Sequence, residues 1–233
     1  MIEDASEELL LFAEVDILRE LPPGELEHLA TRCPIVHLGK KESLTLGDEQ
    51  CGVLFLISGR VRAHETTFGN QDLIFSVVEG GTVVGQTGSK PRPSRTLRVE
   101  ALEPSVLRVL GWEDFEDFVL RNPKVGLKTI RLLSERLDEY EDRLVDLIRK
   151  EVPARLAGLL LRLSELEGAA PGSYRRIPAH YTHRQLASMV GSNREAVHRA
   201  LGALKNAGAV ETRNRQIYVT DAAALEYFAG MVR

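Results

Sequence analysis

The stretch Thr182–Gly208, THRQLASMVGSNREAVHRALGALKNAG, decides the fold of its part of the chain. Each half carries one stripe of apolar residues at helical spacing, namely Leu186, Ala187 and Val190 in the first half and Val197, Ala200, Leu201 and Leu204 in the second. Gly191 lies between the two stripes, at the position of a turn. This spacing predicts two short helices joined by a tight turn.

The residues after this turn predict how the second helix begins and which face it leaves exposed. The side chain of Ser192 or Asn193 can cap the helix by accepting a hydrogen bond from one of its free backbone amides. Four polar residues then fall outside the apolar stripe: Arg194, Glu195, His198 and Arg199. An arginine can donate to both acceptors of a guanine, and a glutamate can accept from a cytosine amino group. This face is therefore a candidate base-reading surface for a DNA major groove, and the alternative is a charged face that only meets solvent.

The residues that follow Gly208 predict a hairpin. Gly208 is typical of a helix stop, and AVETRNRQIYVT (209–220) alternates on both sides of a polar centre at Asn214. A hairpin directly after two such helices makes the unit a winged helix-turn-helix.

Charge distinguishes this module from the rest of the chain. Between Ser173 and Gln216 there are eight Lys and Arg against two Glu, a formal +6, whereas the whole chain carries −4, which leaves −10 for the remainder. A basic module on an acidic protein is typical of local contact with DNA phosphates, although each such charge can also serve solubility alone. The candidate backbone contacts are Thr182, Arg184, Ser192, Asn193, Lys205, Arg213 and Arg215, with Arg175 and Arg176 beside them.

The whole composition is that of a chain with two modest domains. With 233 residues, 43% of them hydrophobic, the chain can bury two separate cores. It has no apolar run of about 18 residues for a membrane span, and the opening MIEDASEE is acidic where a signal peptide would be basic, so we expect a cytoplasmic protein. Cys33 and Cys51 lie far apart, so neither a disulfide framework nor a cysteine metal cluster is encoded. We expect both thiols to be buried and inert.

The first half of the chain predicts helices followed by short strands. Ser6–Leu18 and Leu21–Cys33 favour helices, the second with Pro22 and Pro23 at its start, where missing amides cost least. From Ile35 to Leu110, short apolar or alternating runs are separated by Gly, Pro, Asn and Asp. This pattern predicts a small β-barrel or sandwich.

A long helix follows the strand region. Trp112–Leu120 favours a short helix, and Lys124 to about Lys150 favours a much longer one. Residues spaced alternately by three and four positions form an a/d seam in the long helix: Ile130, Leu133, Leu137, Tyr140, Leu144 and Leu147. Because helix-turn-helix modules usually bind paired half-sites as two-fold dimers, the seam predicts a homodimer, the alternative being a stripe packed on the barrel. Pro153 then opens a further helix, VPARLAGLLLRLSEL, before the loop GAAPGS, where we place the hinge between domains.

Barrel, long helix and winged helix-turn-helix together resemble the cyclic-AMP receptor protein and fumarate-nitrate reduction regulator (CRP/FNR) superfamily over essentially the whole chain. LFLISGRVR (54–62) is similar to the family's barrel strand, VPAR (152–155) to the start of its first DNA-domain helix and LASMVGSNREAVHRAL (186–201) to its recognition segment. The resemblance implies an α+β fold with an effector-sensing, cyclic-nucleotide-binding-like jelly roll (1–122), a dimerisation helix (123–150) and a winged helix-turn-helix domain (151–233).

The same resemblance implies control of transcription at promoter DNA through RNA polymerase, typically as an activator. In the cyclic-AMP receptor branch, an Arg-Glu pair and a second Arg four residues after that Glu read the half-site. Arg194, Glu195 and Arg199 fall on those positions. The resemblance therefore implies a palindromic site with TGTGA-like half-sites.

The effector segment, GQTGSKPRPSRT (85–96), departs from the family pattern. The family's phosphate-binding cassette has a Gly-Glu pair that holds the ribose and an Arg-Ser or Arg-Thr pair that holds the cyclic phosphate. Here Arg95 and Thr96 match, Gln86 follows Gly85 in place of Glu, and the intervening loop is one residue shorter. On the dimer helix, Tyr140-Glu141 replaces the adenine-contacting hydroxyl pair. The resemblance implies that any effector contacts Gly85, Gln86, Arg95, Thr96 and Tyr140.

These departures predict that cyclic AMP is not the effective ligand, or that it binds only weakly. Gln86 loses the charge-assisted hydrogen bond of a Glu, and Glu141 brings an anion near the base. With Lys90, Arg92 and Arg95, the segment still suits some anion, the alternative being a structural loop without a ligand.

Other members of the superfamily sense through an iron–sulfur cluster or haem. Two cysteines are too few for a cluster, and His28, His37 and His64 are isolated histidines, which are seldom axial ligands. Gly-x-Ser-x-Gly, His-Glu-x-x-His and P-loop motifs do not occur, so we expect neither catalysis nor a metal site. The alternative functions are a cyclic-nucleotide-binding regulatory protein that acts through a protein partner and a haem-based gas sensor-regulator.

Overall fold

A computed structural model describes residues 5–46, 52–67, 71–84, 97–167, 175–177 and 180–230 of the chain. The chain forms two compact units, Met1–Leu137 and Asp138–Arg233. The division falls inside the long helix, so this helix contributes to both units. The functional boundaries after residues 122 and 150 remain a prediction.

The first unit is built from helices around two antiparallel sheets. Its helices are α1 (Ala5–Ala13), α2 (Pro23–Arg32), α3 (Trp112–Arg121) and the first part of α4 (Pro123–Arg149). Its strands are β1 (Ile35–Leu38), β2 (Ser43–Leu46), β3 (Gly52–Ser58), β4 (Arg60–Thr67), β5 (Gln71–Glu79), β6 (Thr82–Val84), β7 (Leu97–Ala101) and β8 (Ser105–Gly111). They pair in the orders β1-β8-β3-β6 and β2-β7-β4-β5. The predicted barrel or sandwich is confirmed.

Strand β3 shows why the first unit has two hydrophobic clusters. Because side chains alternate between the faces of a strand, Phe55 packs with the helices around Phe12 and Phe115. Leu54 and Leu56 face the other way, into the cluster shared with the second sheet. The strand is therefore buried on both faces, as its continuous apolar sequence VLFLI indicates.

Helix α1 is shorter than predicted, because it ends at Ala13 and not at Leu18. The Asp16 backbone amide donates to the Gly81 carbonyl at 2.9 Å, and its carboxylate accepts a hydrogen bond from the Thr82 hydroxyl at 2.6 Å. These bonds to the β5–β6 turn, made at Gly81 with φ +93°, hold the segment after α1 in a non-helical path. Helix α2 begins at Pro23, close to the predicted start.

Cys33 is buried at the end of α2, as expected, whereas Cys51 lies outside the described residues. Burial raises the pKa of the Cys33 thiol to about 12, against the opposing influence of the nearby Arg108 guanidinium. Arg108 itself donates to the carbonyls of Ala30 and Cys33 and pairs with Glu8 at 2.9 Å, which fastens α1 and α2 to β8. Cys33 is thus a protonated, packed thiol at neutral pH.

The second unit combines the end of α4 with a small helical domain and a three-stranded sheet. Its further elements are α5 (Val152–Glu167), β9 (Arg175–Arg176), α6 (His183–Met189), α7 (Arg194–Asn206), β10 (Val210–Arg213), β11 (Gln216–Val219) and α8 (Ala222–Phe228). The strands pair in the order β10-β11-β9. Asn214 and Arg215 both have positive φ, which fits the tight hairpin turn predicted at Asn214.

The sequence reasoning missed β9 and α8. β9 has only two residues, too few for a period. α8 does carry a signal, because Asp221 caps it by accepting a hydrogen bond from the Ala224 amide at 3.0 Å. In the described part of the chain, no helix combines the length and apolar composition needed to cross a membrane.

Candidate nucleic-acid interface

A reciprocal cap fixes the start of the first helix of the motif. The Thr182 hydroxyl accepts a hydrogen bond from the Gln185 amide at 3.2 Å, and the Gln185 side chain accepts one from the Thr182 amide at 2.9 Å. This capping box satisfies two backbone donors at once. Helix α6 therefore begins at His183, directly after Thr182.

The turn between the helices is made at Gly191, which has φ +60°. The Ser192 amide donates to the Ala187 carbonyl at 2.9 Å, closing a Schellman-type end of α6. Asn193 then caps α7 by accepting a hydrogen bond from the Ala196 amide at 2.8 Å. Of the two predicted candidates for this cap, Asn193 is the one that makes it.

Helix α7 separates its apolar and polar residues as predicted. Its buried residues are Val197, Ala200, Leu201 and Leu204, none more than 3% exposed. The candidate base-reading residues Arg194, Glu195, His198 and Arg199 are all exposed. The amphipathic division is thus confirmed, and base reading by this face stays a prediction.

The candidate phosphate contacts lie at both flanks of α7. Thr182 and Arg184 are exposed at the start of α6, and Lys205 is exposed in the last turn of α7. On the hairpin, Arg215 is exposed at the turn, while the side chain of Arg213 forms an ion pair with Glu211 at 2.6 Å and lies over the Tyr218 ring. The charge of Arg213 is therefore partly compensated. Arg176 is also exposed, on β9, and Ser192 is half-buried in the turn.

Two histidines meet beside the reading face. The ring centroids of His183 and His198 lie 5.4 Å apart. Burial lowers the pKa of His183, and the neighbouring charges of His198, Arg194 and Lys205 lower it further. The sequence reasoning missed His183, which has no periodic or motif signal of its own.

The low pKa of His183 predicts a pH-dependent stability. Because its folded pKa lies below the ordinary value of about 6.5, the unfolded chain binds more protons in the acidic range, so stability falls as the pH drops below that value. We expect His183→Asn to lose less stability than the wild type between pH 7.5 and pH 5.5, as measured by denaturant unfolding. His28→Asn, an exposed histidine of the first unit, is the control and should behave like the wild type. Equal losses in all three proteins would contradict this assignment.

The predicted dimer seam is an exposed stripe on α4. Its six residues are 39% to 61% exposed: Ile130, Leu133, Leu137, Tyr140, Leu144 and Leu147. In the first unit, Ile130 and Leu137 are more than half exposed and Leu133 is 39% exposed, so this part of the stripe is not buried within that unit, and the dimer seam stays a prediction.

Most of the predicted effector set, Gly85, Gln86, Arg95 and Thr96, lies outside the described residues. Tyr140 is described, and the Arg143 guanidinium lies 5.4 Å from the centre of its exposed ring. The three histidines considered for haem are dispersed: His28 on α2 and His37 on β1 are exposed, and His64 on β4 is buried.

Comparison with known proteins shows which family carries this helix-turn-helix. The family model of the Crp-like helix-turn-helix domain matches residues 154–228. The chain is 31% identical over 183 residues to the cyclic AMP receptor protein of Thermus thermophilus, a match that covers 78% of this chain and 82% of that relative. It is 25% identical over 189 residues to the fumarate and nitrate reduction regulatory protein of Escherichia coli, covering 80% and 74% of the two chains.

A solved structure agrees with these sequence relatives. A CRP-family transcriptional regulator from Thermus thermophilus superposes with a TM-score of 0.66 at 25% identity, covering 84% of this chain and 96% of that chain. The chain therefore belongs to the CRP/FNR superfamily and is a DNA-binding transcription regulator of that type, not an enzyme.

Proposed function

We propose that this regulator binds a palindromic promoter site as a homodimer and controls transcription through RNA polymerase, in the cytoplasm where promoter DNA lies. The observation that carries the proposal is the exposed polar face of α7. Asn193 caps this helix, and the apolar stripe on its other side is fully buried. A rigid helix with an exposed, charged amino-terminal half is the element that enters a major groove in helix-turn-helix proteins.

Within this face, we assign base reading to Arg194, Glu195, Arg199 and His198. The first three match the positions that read TGTGA-like half-sites in the cyclic-AMP receptor branch, so we propose half-sites of that kind. Thr182, Arg184, Ser192, Asn193, Lys205, Arg213 and Arg215 are assigned to the DNA backbone. Contacts of this second kind position the module without reading sequence.

The homodimer is supported by the exposed a/d stripe of α4. An apolar stripe that runs along several helical turns is rarely left in contact with water, and a second copy of the same helix can cover it by knobs-into-holes packing. A two-fold dimer also presents two copies of α7, which a palindromic site requires.

The test of this function is selection from a random duplex library with the full-length protein, followed by gel-shift titration. We expect an enriched palindrome that the protein binds at least about a hundredfold more tightly than random DNA, with affinity falling steeply as salt rises. Enrichment of non-palindromic sequence, or of none, would contradict the proposal.

We further propose that an effector other than cyclic AMP gates this regulator, or that it needs none. The Thermus relative is named a cyclic AMP receptor protein. In this chain, however, Gln86 and Glu141 stand where the family has the ribose and adenine contacts. Loss of one charge-assisted hydrogen bond costs about 1.5–3 kcal/mol, roughly one to two factors of ten in affinity.

Calorimetric titration with cyclic AMP, paired with operator binding, tests this effector proposal. We expect no binding at micromolar concentration and the same operator affinity with and without the nucleotide, because a ligand shifts an equilibrium only by its differential affinity for the two states. Gln86→Glu is the matched variant, and we expect it to bind cyclic AMP more tightly than the wild type. Micromolar binding to the wild type with tighter operator affinity would contradict the proposal.

A further inference from the structure

Arg155 lies in the first turn of α5 and reaches backbone carbonyls from two separate segments. Its Nε donates to the Val190 carbonyl at 2.9 Å, and its Nη1 donates to the Lys150 carbonyl at 2.7 Å. Longer contacts of 3.4 Å join Nη1 to the Leu147 carbonyl and Nη2 to the Gly191 carbonyl. One guanidinium thus connects the end of α4 with the turn that precedes α7.

The two segments that Arg155 binds are both carboxyl-terminal ends of helices. Val190 is the C-cap residue of α6, and Lys150 directly follows the last residue of α4. The last carbonyls of a helix lack partners inside the helix and carry a partial negative charge, which a cation stabilises. Arginine alone has five donors in a rigid planar fork, so its side chain is the one best suited to bind two such ends at once.

Packing between Leu147 and Gly191 makes a second connection at the same place. A Cβ atom built on Gly191 would lie 2.6 Å from Cδ2 of Leu147. The turn backbone therefore rests directly on the Leu147 side chain, which would have to shift to admit a larger residue. Arg155 binds the carbonyls of these same two residues, of Val190 beside Gly191, and of Lys150 three residues after Leu147.

We infer that Arg155 is a positioning residue that holds the helix-turn-helix turn against the end of α4, so that the reading face of α7 has one fixed direction. The end of α4, from Asp138 on, belongs to the same compact unit as α7. A two-fold dimer reads both half-sites only if its two α7 helices are held in one geometry relative to the dimer helices. The inference rests on the proposed base reading by α7.

Arg155→Lys is the first variant for the test, because it keeps the positive charge and most of the aliphatic stem but loses the planar fork. With the full-length protein and the selected operator, we expect operator affinity to fall about tenfold and affinity for random DNA to stay within about twofold. Arg149→Lys, an exposed arginine at the end of α4, is the matched control and should bind both DNAs like the wild type. Operator binding by Arg155→Lys at the wild-type level, or equal losses on both DNAs, would overturn the inference.

A second pair of variants tests the same connection without touching Arg155. Gly191→Ala and Gly208→Ala both place a side chain at positive φ, +60° and +73°, but only the Gly191 variant pushes a Cβ against Leu147, since nothing lies within 4 Å of the corresponding Cβ on Gly208. We expect both to lower the melting temperature and only Gly191→Ala to lose operator preference. In the double variant with Arg155→Lys, the loss should be smaller than the sum of the single losses. Equal loss of preference in the two glycine variants, or additive losses, would overturn the inference even if Arg155→Lys does not fold.

Arg199→Ala in the same assay separates this inference from the proposed function. If the wild type does not prefer the operator over random DNA, or if Arg199→Ala prefers it as strongly as the wild type does, then α7 does not read bases and the proposed role of Arg155 is wrong as well. If Arg199→Ala loses the preference and Arg155→Lys keeps it, only the role of Arg155 is wrong.

Discussion

Replacement of Leu137 and Leu144 together by Glu is expected to give monomers that no longer bind the palindromic operator at concentrations where the wild type is saturated. Both leucines are more than half exposed in the single chain, at 57% and 60%, and both occupy heptad position a of the seam. Burial of a leucine side chain stabilises a contact by about 1.5–3 kcal/mol. Because the dimer has two copies of the chain, the double substitution removes four leucines from an apolar contact and adds four carboxylates to it.

Light scattering and gel shift measure the two parts of this result. Arg131→Glu is the matched control, because it changes the net charge by the same −2 on an exposed residue of the same helix that lies outside the seam. We expect Arg131→Glu to stay dimeric and to bind the operator. If the Leu137/Leu144 variant also scatters as a dimer, the interface lies elsewhere than on α4.

Arg199→Ala is expected to cost about 1–3 kcal/mol on the selected operator and to relax the preference for the base pair that Arg199 reads. Arg199 is exposed one helical turn beyond Glu195, on the face opposite the buried stripe of α7. A bidentate arginine contact to a guanine discriminates against the other base pairs, so its removal should affect the cognate site most.

Arg215→Ala supplies the comparison for this measurement. Arg215 is exposed at the tip of the hairpin, and we expect its removal to weaken cognate and random DNA alike and to reduce the salt dependence by about one counterion. We expect the same pattern with a smaller effect for Arg213→Ala, because Glu211 already compensates part of the Arg213 charge. Equal losses on cognate and random DNA for Arg199→Ala would show that Arg199 does not read a base.

The sequence alone determined those helices, strands and turns that are specified by residues close together in the chain. The stripe of α7, the a/d spacing of α4 and the alternation around Asn214 each follow from the period of a helix or strand, which repeats within a few residues. The candidate reading face follows from the same period, because a residue outside the buried stripe of a surface helix must face away from the core. Arg194, Glu195, His198 and Arg199 could therefore be placed before any tertiary contact was known.

Only the tertiary structure decided features that depend on partners far away in the chain. Helix α1 ends at Ala13 because Asp16 binds the β5–β6 turn more than sixty residues later, and no local pattern encodes that contact. Burial lowers the pKa of His183 most, and the charged neighbours that lower it further all come from α7. Arg155 was noticed only as part of a family resemblance, since its partners Lys150 and Val190 are backbone carbonyls. Every residue type has a backbone carbonyl, so the sequence does not show which residues such a side chain will bind. Its role can be recognised only in the folded chain.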